Sequence, residues 1–221
     1  MGRVKGSLLE GIRGKVGNLV FYEYNGETYV RKAPGKQSKS VKAKTSLLKR
    51  QSQSVIKQTH TFLKYFTHLL RFGYQDLEVG GRKPYHAAVS YTSKNCFRFV
   101  EKGNPQKVLD ISLVKFSQGS LLGPQNAVAS REGGGIQFTW RNNAWEVNAK
   151  PTDQAFVVLI HEDREKSRWE FLGSFREKES HFLEVPFLSE SEKWHAYLSF
   201  SQENPWTKKR AFSDSVYLGE V

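Results

Sequence analysis

Over residues 16–32 two runs rich in β-branched and aromatic residues flank the polar pair Asn25-Gly26. Asn-Gly supplies two residues that tolerate positive φ, as a type I′ turn requires, so the pattern predicts a β-hairpin. Leu19 and Phe21 then share one face, with Val20, Tyr22 and Tyr24 on the other. Downstream the period lengthens. Leu48, Val55, Phe62 and Leu69 recur every seven residues, and Ile56, Leu63, Phe66 and Leu70 widen the stripe, which predicts a long helix over 45–72. Thr45 or Ser46 can cap its start, and Gly73 can end it in the left-handed conformation. Pro84 opens a second helix through about Phe97, with Tyr85, Ala88, Val89, Thr92 and Cys96 on its less polar face. Residues 107–116 alternate again, with Leu109, Ile111 and Leu113 pointing one way. This predicts a strand that adds to the N-terminal hairpin. The stretch Gly119-Ser-Leu-Leu-Gly-Pro124 reads as a linker.

Beyond it, short strand-like runs recur at 126–131, 135–141, 155–162, 168–175, 181–186, 194–202 and 212–219. Seven short strands separated by turn signals predict a β-sandwich. Phe138 and Trp140 fall on one face of the second run. Trp194, Tyr197, Leu198 and Phe200 fall on the sixth. The fold class expected is thus an α+β N-terminal region, 1–120 (β-hairpin, long helix, second helix, added strand), followed by a seven-stranded sandwich, 124–221.

Charge divides the chain unevenly. Residues 1–100 hold 19 Lys/Arg against 5 Asp/Glu, and residues 101–221 hold 15 against 17. All the excess positive charge of a +12 protein sits in the first half. Such asymmetry points to a polyanionic partner for that half: nucleic acid, an acidic protein surface or anionic lipid. The densest zone is the Ser-rich connector 33–44 and its flanks. Lys32, Lys36, Lys39, Lys42, Lys44, Lys49 and Arg50 fall within 19 residues that contain no acid. Arg13, Lys15 and Arg31 lie close by in sequence, and Tyr22, Tyr24 and Tyr29 interleave. Dense cations bind phosphates by releasing counterions, and aromatic rings can stack on unpaired bases. These ten cations are the candidate polyanion-binding residues. The competing reading is a solvated connector with no specific partner, with the tyrosines serving hairpin packing.

Little else in the chain suggests chemistry. No run is long and apolar enough for a membrane span, and the charged N-terminus offers no signal-peptide core. A single cysteine, Cys96, excludes an intramolecular disulfide and reads as a small buried thiol. His60 and His68 would lie roughly 80° apart around the helix axis and about 12 Å apart along it, too far to share a metal ion. His161-Glu162-Asp163 reads as a solvated loop ahead of a metal site. Gly133-Gly134-Gly135 lacks the lysine and helix of a phosphate loop and reads as a tight turn. Gly11-x-x-Gly14-x-x-Gly17 precedes a strand, so it is no dinucleotide fingerprint. The expectation is a protein without enzymatic activity, cofactor or metal.

The patterns Gly14-Lys-Val-Gly17-x-x-Val-Phe-Tyr and Asn25-Gly26-x-x-Tyr-Val-Arg31-x-x-Pro34 resemble an uncharacterised family of Bacteroidetes and of some of their phages and prophages. The segment Lys83-Pro-Tyr-His-Ala-Ala-Val-Ser-Tyr91-x-x-x-Asn95 is similar too. Ile136-Gln-Phe-Thr-Trp140 and Ala155-Phe-Val-Val-Leu159 resemble a fibronectin type III-like sandwich. The resemblance implies a virion or assembly role and brings no catalytic residues. Together with the charge, it leads to the expectation of a structural or assembly protein, phage- or prophage-linked. Its basic N-terminal region would dock on nucleic acid or an acidic partner, and its sandwich would contact protein in an oligomer or particle. The alternative is a free nucleic-acid-binding protein of the host cell. Cytoplasm, or the virion for a phage-encoded chain, is the expected location.

Overall fold

The computed structural model describes residues 2–3, 12–36, 46–78, 81, 83–100, 106–186, 188–189 and 191–221. The chain forms two compact units, Met1–Leu47 and Leu48–Val221. The first is a four-stranded antiparallel sheet in the order β1-β4-β3-β2, built from β1 (Gly2–Arg3), β2 (Gly14–Val16), β3 (Leu19–Tyr24) and β4 (Glu27–Lys32). The expected hairpin is β3–β4. Asn25 and Gly26 adopt φ of 52° and 75°, the pair of left-handed residues that lets a two-residue loop follow the strand twist.

The second unit begins with helices. α1 (Leu47–Leu63) and α2 (Thr67–Gly73) replace the single long helix, separated by a 3₁₀ turn at Lys64–Phe66. Leu63, Phe66, Leu69 and Leu70 are all fully buried across that break. α3 (Pro84–Asn95) starts at its proline, as expected. The glycine that ends the first helix pair serves a different purpose from the one the sequence suggests. Gly73 is not left-handed. A Cβ there would lie 2.1 Å from the Phe116 carbonyl oxygen, so glycine is needed for close approach.

The strand expected over 107–116 is short, and it pairs elsewhere. β5 (Phe97–Phe99) and β6 (Lys107–Leu109) form their own ribbon, while the N-terminal hairpin pairs with β1 and β2. Asp110 ends β6. Its carboxylate accepts from Ser112 N (3.0 Å) and Ser112 Oγ (2.6 Å), which starts a 3₁₀ turn at Ile111–Leu113. The 119–124 stretch is tied down as well. Leu121 is buried and bridges to Ser213.

The sandwich follows: β7 (Gln125–Glu132), β8 (Gly135–Arg141), β9 (Gln154–His161), β10 (Ser167–Glu170), β11 (Ser180–Glu184), β12 (Trp194–Glu203), β13 (Arg210–Phe212) and β14 (Val216–Glu220). The last expected strand is divided in two around Ser213–Ser215. One sheet runs β11-β8-β7. The other runs β10-β9-β12-β13, with β14 also pairing β12. The Gly133-Gly134 turn joins β7 to β8, as expected.

Alternation along β9 places the core. Ala155, Val157 and Leu159 face the other sheet, packing with Ile136, Phe138, Trp140, Leu198 and Phe200. Phe156, Val158 and Ile160 face the opposite way, onto Phe62, Phe66, Leu70 and Phe116. The helices therefore form a third layer on the larger sheet. For this reason the compact units divide at 47/48, whereas the sequence pattern divides near 120.

Candidate polyanion-binding surface

Strand register decides which candidate residues can act together. Lys15 pairs with Val20, and Val20 pairs with Arg31, so all three project from one face of the N-terminal sheet. Tyr22, which pairs with Tyr29, and Tyr24, which pairs with Glu27, lie on that face too. The Tyr22 and Tyr29 rings stack with centroids 5.8 Å apart, and Tyr24 meets Tyr29 edge-on at 6.4 Å. Tyr29 donates its hydroxyl to Glu27 Oε2 at 3.0 Å. Lys15 and Arg31 are exposed, Tyr24 is 43% exposed, and Tyr22 and Tyr29 are half-buried. Among the residues whose side chains are described, this face thus holds two cations, three rings and one carboxylate.

The other candidates are distributed differently. Lys32 pairs with Leu19 and belongs to the opposite face, where Phe21 and Thr28 are buried. Arg13 is ion-paired with Glu23. Lys36 is exposed, four residues past the end of β4. Lys49 and Arg50 are exposed in the first turn of α1, in the second unit. Lys39, Lys42 and Lys44 lie outside the described residues.

Other polar side chains make contacts within the fold. Cys96 is fully buried with Sγ 3.0 Å from the Leu113 carbonyl, and burial pushes its thiol up to about 12. His60 Nδ1 meets the Tyr85 hydroxyl at 3.2 Å, and His68 packs on Trp169. His161 Nδ1 lies 3.0 Å from Asp163 Oδ2. Among the described residues no group of three or more His, Cys, Asp or Glu could hold a metal, and no helix is long and apolar enough to cross a membrane. His181 has Glu170 Oε2 3.3 Å from Nε2, while its Nδ1 accepts the Ser174 backbone N–H at 3.2 Å, so it closes the turn after β10. Burial lowers its pKa, so the ring is neutral at neutral pH.

Sequence reasoning missed Arg176, whose side chain and its partner Asp153 are both fully buried. Its Nε lies 3.1 Å from Asp153 Oδ2, Nη1 donates to Asn143 Oδ1 (2.5 Å) and Nη2 to the Leu122 carbonyl (2.8 Å). The guanidinium sits 3.8 Å above the Phe200 ring. No sequence pattern marks this residue among its charged neighbours.

The model of a family described as "Family of unknown function (DUF6266)" matches residues 11–219. The chain belongs to this family. The match spans the basic hairpin, the helices and the sandwich, so the two units occur together in the family's architecture. Neither a curated protein nor a solved structure matches the chain.

Proposed function

We propose that this DUF6266 protein is a non-enzymatic structural or assembly protein whose N-terminal sheet binds single-stranded nucleic acid. One observation supports the reading above the others: Lys15 and Arg31 share a sheet face with Tyr22, Tyr24 and Tyr29. Cations beside aromatic rings on an open sheet suit a strand whose phosphates need neutralising and whose bases need a surface to stack on. An acidic protein would use the cations and leave the rings without a role. The phage- or prophage-linked setting, and the fibronectin type III-like character of the sandwich, belong to the same proposal and rest on the resemblance of the motifs.

The test is fluorescence anisotropy with a labelled oligothymidine over a salt series. Wild-type affinity should fall steeply with salt, since each phosphate contact on a single strand contributes about −0.7 to the log–log slope. Lys15→Glu with Arg31→Glu should abolish binding, and Lys32→Glu on the opposite face should weaken it only slightly. Equal losses from the two faces, or no binding at low salt, would remove the proposal.

A further inference from the structure

The basic face of the N-terminal sheet carries a side chain that phosphate binding alone does not explain. Successive rows of residues cross this face. Lys15, Val20 and Arg31 form one row, Tyr22 and Tyr29 the next, and Tyr24 and Glu27 the row beside the Asn25-Gly26 turn. Rows lie two residues apart along each strand, so Glu27 stands about 14 Å along β4 from Arg31. The cations sit at one end, the carboxylate at the other, and the rings between them. A carboxylate repels phosphate, so on a surface that held a nucleic-acid backbone and nothing else it would weaken binding.

Glu27 is placed instead to meet the edge of a base. Its Oε2 accepts the Tyr29 hydroxyl at 3.0 Å, which holds the carboxylate beside the rings. Tyr29 in turn meets Tyr24 edge-on, with centroids 6.4 Å apart. Tyr24 is exposed and Glu27 half-buried. A base stacked on Tyr24 therefore brings its edge to the residue paired with Tyr24 across the hairpin. A carboxylate has about four acceptor positions, of which the hydroxyl takes one, and it has no donor. It therefore favours the base that offers two adjacent donors. Guanine does so, with N1–H and N2–H side by side on its Watson–Crick edge. Adenine and cytosine put a ring-nitrogen acceptor beside their amino group, and thymine and uracil flank one N–H with two carbonyls. Those acceptors repel a carboxylate. In a single strand this edge is open to be read.

We infer that this face reads guanine at one position of the strand it holds: the base stacks on Tyr24, and the Glu27 carboxylate accepts from N1–H and N2–H. Tyr29 is the positioning residue, since its hydroxyl orients Glu27. The inference rests on the nucleic-acid reading proposed above and adds a sequence preference to it.

Fluorescence anisotropy on the full chain tests it, comparing a short labelled oligothymidine with the same strand carrying one central guanosine. The guanosine strand should bind about ten-fold tighter, within the range of one bidentate base contact. Inosine at that position lacks the 2-amino group and should fall between the two, while adenosine and cytidine should gain little. Glu27→Gln keeps an acceptor for the Tyr29 hydroxyl but turns an amide NH₂ towards one of guanine's donors. It should erase the guanosine preference and slightly raise the affinity for oligothymidine, because a negative charge leaves the face. Tyr29→Phe keeps the ring, releases the carboxylate and should shrink the preference in the same direction. The same strands made as RNA should keep the preference, and the tighter backbone identifies the strand carried. Equal binding of all strands by wild type, a gain from cytidine as large as that from guanosine, or a preference that survives Glu27→Gln would overturn the inference while leaving nucleic-acid binding in place. So would a loss of affinity for every strand alike in Glu27→Gln, as expected of a glutamate that serves the fold alone. No binding of any strand would remove both this inference and the reading it rests on.

Discussion

Replacing Gly73 with alanine sets two effects of opposite sign against each other. Helix propensity alone favours alanine by about 1 kcal/mol. Gly73 is the last residue of α2 and does not hold a left-handed φ, so its backbone accepts alanine. Packing opposes the change. The new Cβ would sit 2.1 Å from the Phe116 carbonyl oxygen, 2.8 Å from Ser117 Cβ and 2.9 Å from Ser117 Cα. Two of these neighbours are backbone atoms and cannot rotate away, so α2 must lift from the 116–117 segment by more than an ångström (~1 Å of overlap at ordinary contact distances). Overpacking of this kind costs roughly 1–3 kcal/mol and occasionally more. The net expectation is a loss of about 2 kcal/mol, read as a fall in Tm of roughly 4–8 °C for a unit of this size. Differential scanning calorimetry measures it. Gly73→Asn separates the two explanations for this glycine, since asparagine tolerates a left-handed cap but still brings a Cβ. An alanine variant as stable as wild type, or an asparagine variant that is tolerated, would refute the close approach of α2 to the 116–117 segment.

Other expectations follow from the same structure. Arg176→Ala leaves Asp153 buried without its partner and should cost about 3–5 kcal/mol in urea unfolding, while Arg176→Met with Asp153→Leu should cost much less; equal losses would contradict the burial of the pair. Cys96 should resist thiol reagents at pH 8 until the protein is unfolded, because a thiol raised to about 12 holds almost no thiolate there; prompt labelling of the native chain would contradict it. Burial lowers the pKa of His68, His181 and His195 below their ordinary 6.5. The unfolded chain therefore takes up protons first as pH falls, so stability is full above about 6.5 and declines below it. Tm should be lower at pH 5 than at pH 7.5, and the His181→Gln variant should show a smaller drop; an unchanged drop would remove His181 from the account.

Much of the fold was legible where a pattern is local. Asn25-Gly26, Pro84 and the alternation in β8 and β12 each place an element through a short-range rule, and each element stands where that rule puts it. Elements governed by distant contacts were not legible. Gly73 looks like a helix terminator until Phe116 arrives from another segment. The third layer left a trace that went unread: Ala155–Ile160 is apolar at every position, as a strand covered on both faces must be. Asp110 cut short the strand at 107–116 because its side chain offered Ser112 a better partner than a neighbouring strand did. Of the candidate site, the sequence named the cations and the tyrosines. It could not say that register would put Lys15 and Arg31 on the tyrosine face and Lys32 on the other, because that depends on the Gly17 and Asn25-Gly26 turns together.

Photocrosslinking tests the central claim most directly. A short single strand carrying 5-iodouracil is irradiated with the full chain at low salt, and the crosslinked peptides are sequenced by mass spectrometry. The account predicts adducts on Tyr24, with Tyr22 or Tyr29 beside it, and their disappearance in the Lys15→Glu, Arg31→Glu variant. Adducts confined to α1 or to the sandwich, or none at all, would contradict it.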